Sequence, residues 1–190
     1  MCPDIPETDA VAAAFAAVPR AGFLRPADGD RAAYDGPIPI GHGQTNSQPR
    51  TVAAMLRLLD VRAGQRVLDV GAGSGWTTAL LARLVGPTGQ VEGVELEPDL
   101  VDFGRANLAR TQQGWARISA AAPGVLGDPA GAPWDRILVS AQPARLPQAL
   151  VDQLGPHGIM VIPVAGVMLR VTNPGAVVTT HGHFRFVPLR

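Results

Sequence analysis

Val67-Leu68-Asp69-Val70-Gly71-Ala72-Gly73-Ser74-Gly75 decides how this chain folds. An apolar run with the composition of a buried strand leads into glycines at alternate positions. The segment after it has helical period, with Leu80, Leu81, Leu84 and Val85 as its apolar stripe, and Gly86-Pro87 stops it. Gln90-Val91-Glu92-Gly93-Val94 reads as a second strand with Glu95 at its carboxyl end. Strand, glycine turn, helix and strand make a βαβ unit, and an acidic residue about 20 positions along is the arrangement that holds a ribose-bearing cofactor. Bare backbone at the turn lets a ligand approach closely. The helix start offers unpaired N–H groups, and Glu95 can accept two hydrogen bonds from ribose hydroxyls.

Outward from this unit the pattern continues. Val11, Phe15 and Val18 form a short helical stripe ended by Pro19. Residues 22–48 are rich in Gly, Pro and polar side chains, too long for an idle connection and of the kind that carries function. Pro49 fits the first turn of a helix whose buried face is Val52, Met55, Leu56 and Leu59. A further helix starts at Pro98, with Leu100, Val101, Phe103 and Leu108 inward. Strands are expected over 116–120, 135–140 and 159–164, and a helix from Pro147 to Gly155-Pro156. Residues 167–172, 176–180 and 183–189 read as closing strands around an Asn173-Pro174-Gly175 turn. The expected fold is α/β: one domain over residues 1–190 with a doubly wound, mostly parallel, seven-stranded Rossmann-like sheet, its ligand at the carboxyl ends of the strands and residues 1–60 as a covering segment.

Composition narrows the function. The 190 residues are 46% hydrophobic with zero formal net charge, so bulk charge argues for neither nucleic acid nor an anionic membrane as partner. Every one of the 16 basic residues is arginine. Cys2 is the only cysteine, which rules out an intrachain disulfide. Met1-Cys2-Pro3-Asp4 opens no secretory signal, and the longest mostly apolar stretch, 159–169, is too short to span a bilayer. A cytoplasmic, soluble, monomeric protein is the default expectation. His181 and His183 stand two apart without Cys or carboxylate partners, the pattern of a strand surface, so no metal is expected. Tyr34, Trp76, Trp115 and Trp134 read as packing residues, Trp76 at the border of the glycine turn.

The glycine order is G-x-G-x-G rather than the dinucleotide G-x-G-x-x-G. With Asp69 ahead of the first glycine, it resembles the first motif of S-adenosylmethionine (SAM) methyltransferases. Upstream, Pro37-Ile38-Pro39-Ile40-Gly41-His42-Gly43-Gln44-Thr45-Asn46-Ser47-Gln48-Pro49 closely resembles the signature of the protein-L-isoaspartate (D-aspartate) O-methyltransferase family. Ala17-Val18-Pro19-Arg20, Ala132-Pro133-Trp134-Asp135-Arg136-Ile137, the stretch 146–164 and Phe184-Arg185-Phe186-Val187-Pro188-Leu189 resemble further family segments in the same order. The resemblance runs from about residue 11 to the end of the sequence.

This resemblance implies methyl transfer from SAM to the free carboxylate of isoaspartyl residues in damaged proteins or peptides. The ester then collapses to a succinimide that hydrolyses partly to normal aspartate. By position, Ser47 matches the active-site serine, with Thr45 supporting its loop. Asp69, Gly71, Gly73 and Gly75 would hold the methionine part of SAM, Glu95 the ribose, and Gly124 the adenine region. Backbone at Arg50, Thr51, Val52 and Ala53 would complete the pocket. Ile40, Gly41, His42 and the closing strand near Val187 would bind the substrate main chain. Pro123 stands where the family carries an adenine-binding carboxylate, with Asp128 as a candidate replacement, and Asn46 replaces the usual isoleucine beside Ser47. Three alternatives stay open: methylation of a dedicated peptide aspartate in natural-product tailoring, a degenerate SAM- or peptide-binding homologue, and a nicotinamide-dependent oxidoreductase, which the glycine spacing disfavours.

Overall fold

The computed structural model describes residues 9–190; Cys2 and the expectation for the first four residues lie outside that range. Helix α1 (Ala10–Ala17) starts where Asp9 accepts the amides of Val11 and Ala12, a side-chain cap on otherwise orphan donors. Two 3-10 helices (Arg20–Phe23, Pro26–Arg31) and a hairpin of β1 (Ile38–Gly41) and β2 (Gln44–Asn46) follow. The stretch 22–48, expected as a loop, is therefore ordered into short elements. Its polar groups are answered largely by arginine side chains, which no local pattern reveals. Helix α2 (Pro49–Leu59) buries Val52, Met55, Leu56 and Leu59 as expected.

The sheet then builds through β3 (Arg66–Val70), α3 (Trp76–Val85), β4 (Gln90–Glu95), α4 (Pro98–Ala109), β5 (Ala116–Ala120), β6 (Trp134–Val139), α5 (Gln148–Val151), β7 (Leu154–Val164), β8 (Val167–Thr172) and β9 (Val177–His183). Its order is β5-β4-β3-β6-β7-β8-β9. The first five strands run parallel and β8 and β9 antiparallel. Alternate residues of the central strands serve opposite faces. Val67, Leu138 and Val161 pack with α1, α2, α3 and α4, while Leu68, Ile137, Val139 and Met160 pack with α5. Leu80 and Leu81 are wholly buried, worth about 1.5–3 kcal/mol each.

Two closing elements differ from expectation. Helix α5 stops after one turn because Gln153, buried at its end, donates to Leu126 O and Ala149 O and accepts from the Asp128 amide. That turns the chain early into β7, which starts at Leu154 rather than 159. Residues 183–189 do not form a separate strand. Gly182 adopts φ +89°, and Pro188 has no N–H for a ladder. The segment instead folds back, with Gln142 N donating to Val187 O and Leu189 N to Gln142 O. Among the described residues no helix is long and apolar enough to cross a membrane.

Candidate active site

The carboxyl ends of β3, β4 and β6 open onto a cavity of about 1250 Å³, ample for a small-molecule ligand together with part of a larger one. The β3–α3 turn forms its floor. Gly71 N and Ala72 N both donate to Val94 O, at 2.9 and 3.1 Å. Gly71, Gly73 and Gly75 all have positive φ, +85°, +53° and +85°, the region that favours glycine. Gly71 and Gly73 line the cavity with bare backbone.

Glu95, at the end of β4, closes this turn. Its Oε2 accepts from Gly73 N at 2.8 Å, and its Oε1 accepts from Leu96 N at 2.8 Å and Glu97 N at 3.0 Å. A carboxylate has about four acceptor positions, so about one remains for a ribose hydroxyl rather than the expected two. The reason is tertiary: the same group that faces the cavity holds the loop walls together.

Asp69 does not reach the cavity. It is wholly buried, its Oδ2 accepting from Thr77 Oγ1 at 2.8 Å and Thr78 Oγ1 at 2.7 Å, and its Oδ1 has no partner among the described residues. Burial pushes its carboxyl up to about 6, against the downward pull of the Thr78 and Thr77 hydroxyls. Gly75 also stands outside the cavity lining. A Cβ there would lie 2.9 Å from Gly104 O on α4, so this glycine serves helix docking.

The hairpin supplies the opposite wall. Ser47 and Thr45 line the cavity, and the Ser47 carbonyl accepts from Arg20 Nη2 at 2.9 Å. Arg20 is buried and also donates to Tyr34 O, Gly36 O, Asn46 O and Asn46 Oδ1. Arg50 and Thr51 line the cavity at the start of α2, with Arg50 paired to Asp35 at 2.7 Å. The Arg50 amide and guanidinium hold the Asp35 carboxyl below its ordinary range. Val52 lies in the core and Ala53 packs against it, neither lining the cavity, because one helical turn rotates them to the inner face.

The expected substrate-binding set is divided. Ile40 lines the cavity, but its carbonyl is filled by Arg25 Nε and Nη2 at 3.1 and 2.9 Å. Its buried side chain stands against Gly73, where a Cβ would approach Ile40 Cδ1 to 3.3 Å. Gly41 and His42 sit at the hairpin tip, outside the lining; His42 faces Asp99 at 2.9 Å and Glu97 at 3.6 Å on the α4 side. Val187 lines the cavity from the folded-back closing segment. Gly124 lines it too, whereas Pro123 is exposed beside it. Asp128 is no substitute acceptor for adenine: its Oδ1 accepts from Gly131 N at 3.1 Å, and it lies away from the lining. Glu95 is the one carboxylate among the described lining residues.

Several lining residues escaped the sequence reading. Leu96 and Val125 present apolar faces to the cavity, 47% and 40% exposed. Ser140, Phe184 and Phe186 line it as well. Ser140 and Leu96 had a signal, since each follows a parallel strand at the crevice end. Phe184 and Phe186 belong to the closing segment already singled out for its family resemblance, and Val125 had no signal. Trp76 is buried, donates to Val18 O at 3.1 Å and meets Phe15 edge to face. Trp115 and Trp134 pack as expected, but Tyr34 is exposed, with Arg31 over its ring. His181 and His183 stand on β9.

Bare glycine backbone, an acceptor position left on Glu95 and the open apolar faces of Leu96 and Val125 fit a ligand with a polar chain, a ribose and a purine. Known proteins share the sequence and the shape. Residues 4–190 match the family model described as protein-L-isoaspartate(D-aspartate) O-methyltransferase. The chain is 45% identical over 188 residues to a protein-L-isoaspartate O-methyltransferase of Methanopyrus kandleri, covering 94% of this chain and 82% of the relative. It is 40% identical over 190 residues to that of Thermococcus onnurineus, covering 96% and 86%. A Plasmodium falciparum structure described as a protein-L-isoaspartate O-methyltransferase in complex with S-adenosyl-L-homocysteine superposes with a TM-score of 0.86 at 28% identity, covering 97% of this chain and 91% of that one.

Proposed function

The chain belongs to the protein-L-isoaspartate(D-aspartate) O-methyltransferase family, and from that membership we propose that it transfers the methyl group of SAM to the free carboxylate of isoaspartyl residues in damaged proteins or peptides. The observation that carries the reading is the meeting of Ser47, the Gly71–Gly73 backbone and Glu95 around one cavity. When bound, SAM supplies an electrophilic methyl on a sulfonium sulfur. The chain's residues have to align the acceptor with it and exclude water.

An aspartate-type carboxyl titrates near 4, so the acceptor arrives ionised at neutral pH and needs no general base. The Ser47 hydroxyl donates to one carboxylate oxygen and leaves the other to attack. A new oxygen–methyl bond forms as the sulfur–methyl bond breaks, and a neutral thioether leaves. Gly71 and Gly73 hold the polar chain, Glu95 one ribose hydroxyl, and Leu96, Gly124 and Val125 the purine. Thr45, Val187 and the two closing phenylalanines border the peptide. Residues up to about 60 form the covering segment of a single catalytic domain, a reading supported by Thr45, Ser47 and Arg50 lining the same cavity as the glycine turn, and the enzyme acts as a monomer.

The test is incubation with labelled SAM and an isoaspartyl peptide beside its normal aspartyl twin. Ester on the isoaspartyl peptide alone is the expected result. Ester on the aspartyl twin would favour a dedicated-peptide enzyme, and cofactor binding without ester on either would favour a degenerate homologue.

A further inference from the structure

A closed circuit of hydrogen bonds, buried from Arg20 to Asn107 and exposed where Arg110 meets Gly22, joins the two walls of the cavity. Arg20 Nε donates to Asn46 Oδ1 at 2.6 Å, and Asn46 Nδ2 donates to Ser74 Oγ at 3.0 Å. Ser74 O in turn accepts from Asn107 Nδ2 at 2.9 Å. Asn107 Oδ1 accepts from Arg110 Nη2 at 2.6 Å, and the same Nη2 donates to Gly22 O at 2.7 Å. Gly22 and Arg20 share one 3-10 helix, so the circuit ends where it began. Arg20, Asn46, Ser74 and Asn107 are between 2% and 5% exposed.

Asn46 is the hinge of this circuit. An arginine can only donate, which fixes which end of the Asn46 amide faces Arg20 and which faces Ser74. Asn46 precedes Ser47, and Arg20 holds the main-chain carbonyls of both. Ser74 belongs to the glycine turn, next to Gly73, whose amide is held by Glu95. The buried part of the network, from Arg20 through Asn46 and Ser74 to Asn107, has few alternative arrangements, because a shift there strands a desolvated polar atom. Resting on the methyltransferase reading, we propose that Asn46 is a positioning residue: it transmits the placement of the cofactor turn to Ser47, so that cofactor binding orders the serine loop for the isoaspartyl carboxylate.

The experiment compares wild type with Asn46→Ala, which removes the bond to Ser74 together with that to Arg20, with Ser74→Ala, and with the double variant. Hydrogen exchange is read with and without S-adenosyl-L-homocysteine, and kcat and KM with an isoaspartyl peptide. In wild type, the homocysteine product protects both the 71–75 turn and the 38–48 hairpin. In each single variant the turn stays protected, the hairpin protection falls, and kcat drops about tenfold while affinity for the homocysteine product stays within about twofold. The double variant is no slower than the slower single one, since both cut the same link. Hairpin protection equal to wild type in both variants would overturn the proposal, as would losses that multiply in the double variant. Asn46→Ile serves as a further variant without either bond and must show the same split. Wild type that protects its hairpin yet methylates no isoaspartyl peptide would defeat the assigned substrate and still support the coupling.

Discussion

Glu95 Oε2 accepts the Gly73 amide at 2.8 Å while Oε1 accepts the amides of Leu96 and Glu97. One carboxylate thus shapes the cofactor turn and the loop leading into α4. Glu95→Ala leaves three loop donors without their acceptor. Stability is expected to fall by about 2–3 kcal/mol, and affinity for S-adenosyl-L-homocysteine by at least about tenfold. Urea unfolding and calorimetry measure the two losses.

Gly104 of α4 lies so close to the turn that an added Cβ would stand 2.8 Å from Gly73 O and 3.0 Å from Ile118 Cδ1. Gly104→Ala is expected to cost about 1–3 kcal/mol as overpacking and to weaken cofactor binding by displacing Gly73. Gly29→Ala, with nothing near its Cβ, is the matched control and leaves both quantities unchanged. Thermal unfolding with and without the homocysteine product separates them.

Asp69 keeps its proton up to about pH 6 in the folded chain, against 3.8 for an unburied aspartate. Between those values the folded state binds more protons than the unfolded one. The stability from this group is therefore full below about 3.8 and lost as pH rises through about 6. Asp69→Asn removes the titration. Relative to wild type, the variant gains about 2 kcal/mol between pH 4 and pH 7. Parallel denaturation curves across that range would show that Asp69 titrates normally.

Ser47→Ala removes the hydroxyl proposed to steady the acceptor carboxylate. A hydrogen bond to a charged oxygen is worth about 1.5–3 kcal/mol, so kcat/KM for an isoaspartyl peptide is expected to fall about tenfold to a hundredfold. Affinity for the homocysteine product stays unchanged, which steady-state kinetics and calorimetry together report.

Pro123 stands exposed beside Gly124 at the apolar end of the cavity, where Leu96 and Val125 are open. Pro123→Asp supplies the carboxylate that the family resemblance places at this position, beside the cavity-lining Gly124. Binding of the homocysteine product is expected to tighten by about tenfold. An unchanged dissociation constant would mean that the apolar walls and backbone supply all the recognition at that end.

Much of this was legible in residues 49–95. The β3–α3–β4 unit, the turn glycines, Glu95 and the buried face of α2 follow from period, punctuation and composition within short windows. Ser47 was legible only through the resemblance of its flanking motif. Other expected site residues stand outside the cavity lining, where packing rather than local pattern places them. Gly75 serves α4 docking, Asp69 is sealed behind the turn, Val52 and Ala53 turn inward, and Gly41 and His42 reach toward α4 rather than the cavity.

The order of residues along the chain was enough to specify a strand, a bend without side chains, a helix and an acidic strand end, because each depends on interactions spanning a few positions. It could not say that Asn46 would meet Ser74, or that Arg20 would hold the carbonyl of Ser47. Those partners are distant in the sequence, and only the burial of the helices against one sheet brings them within hydrogen-bond distance.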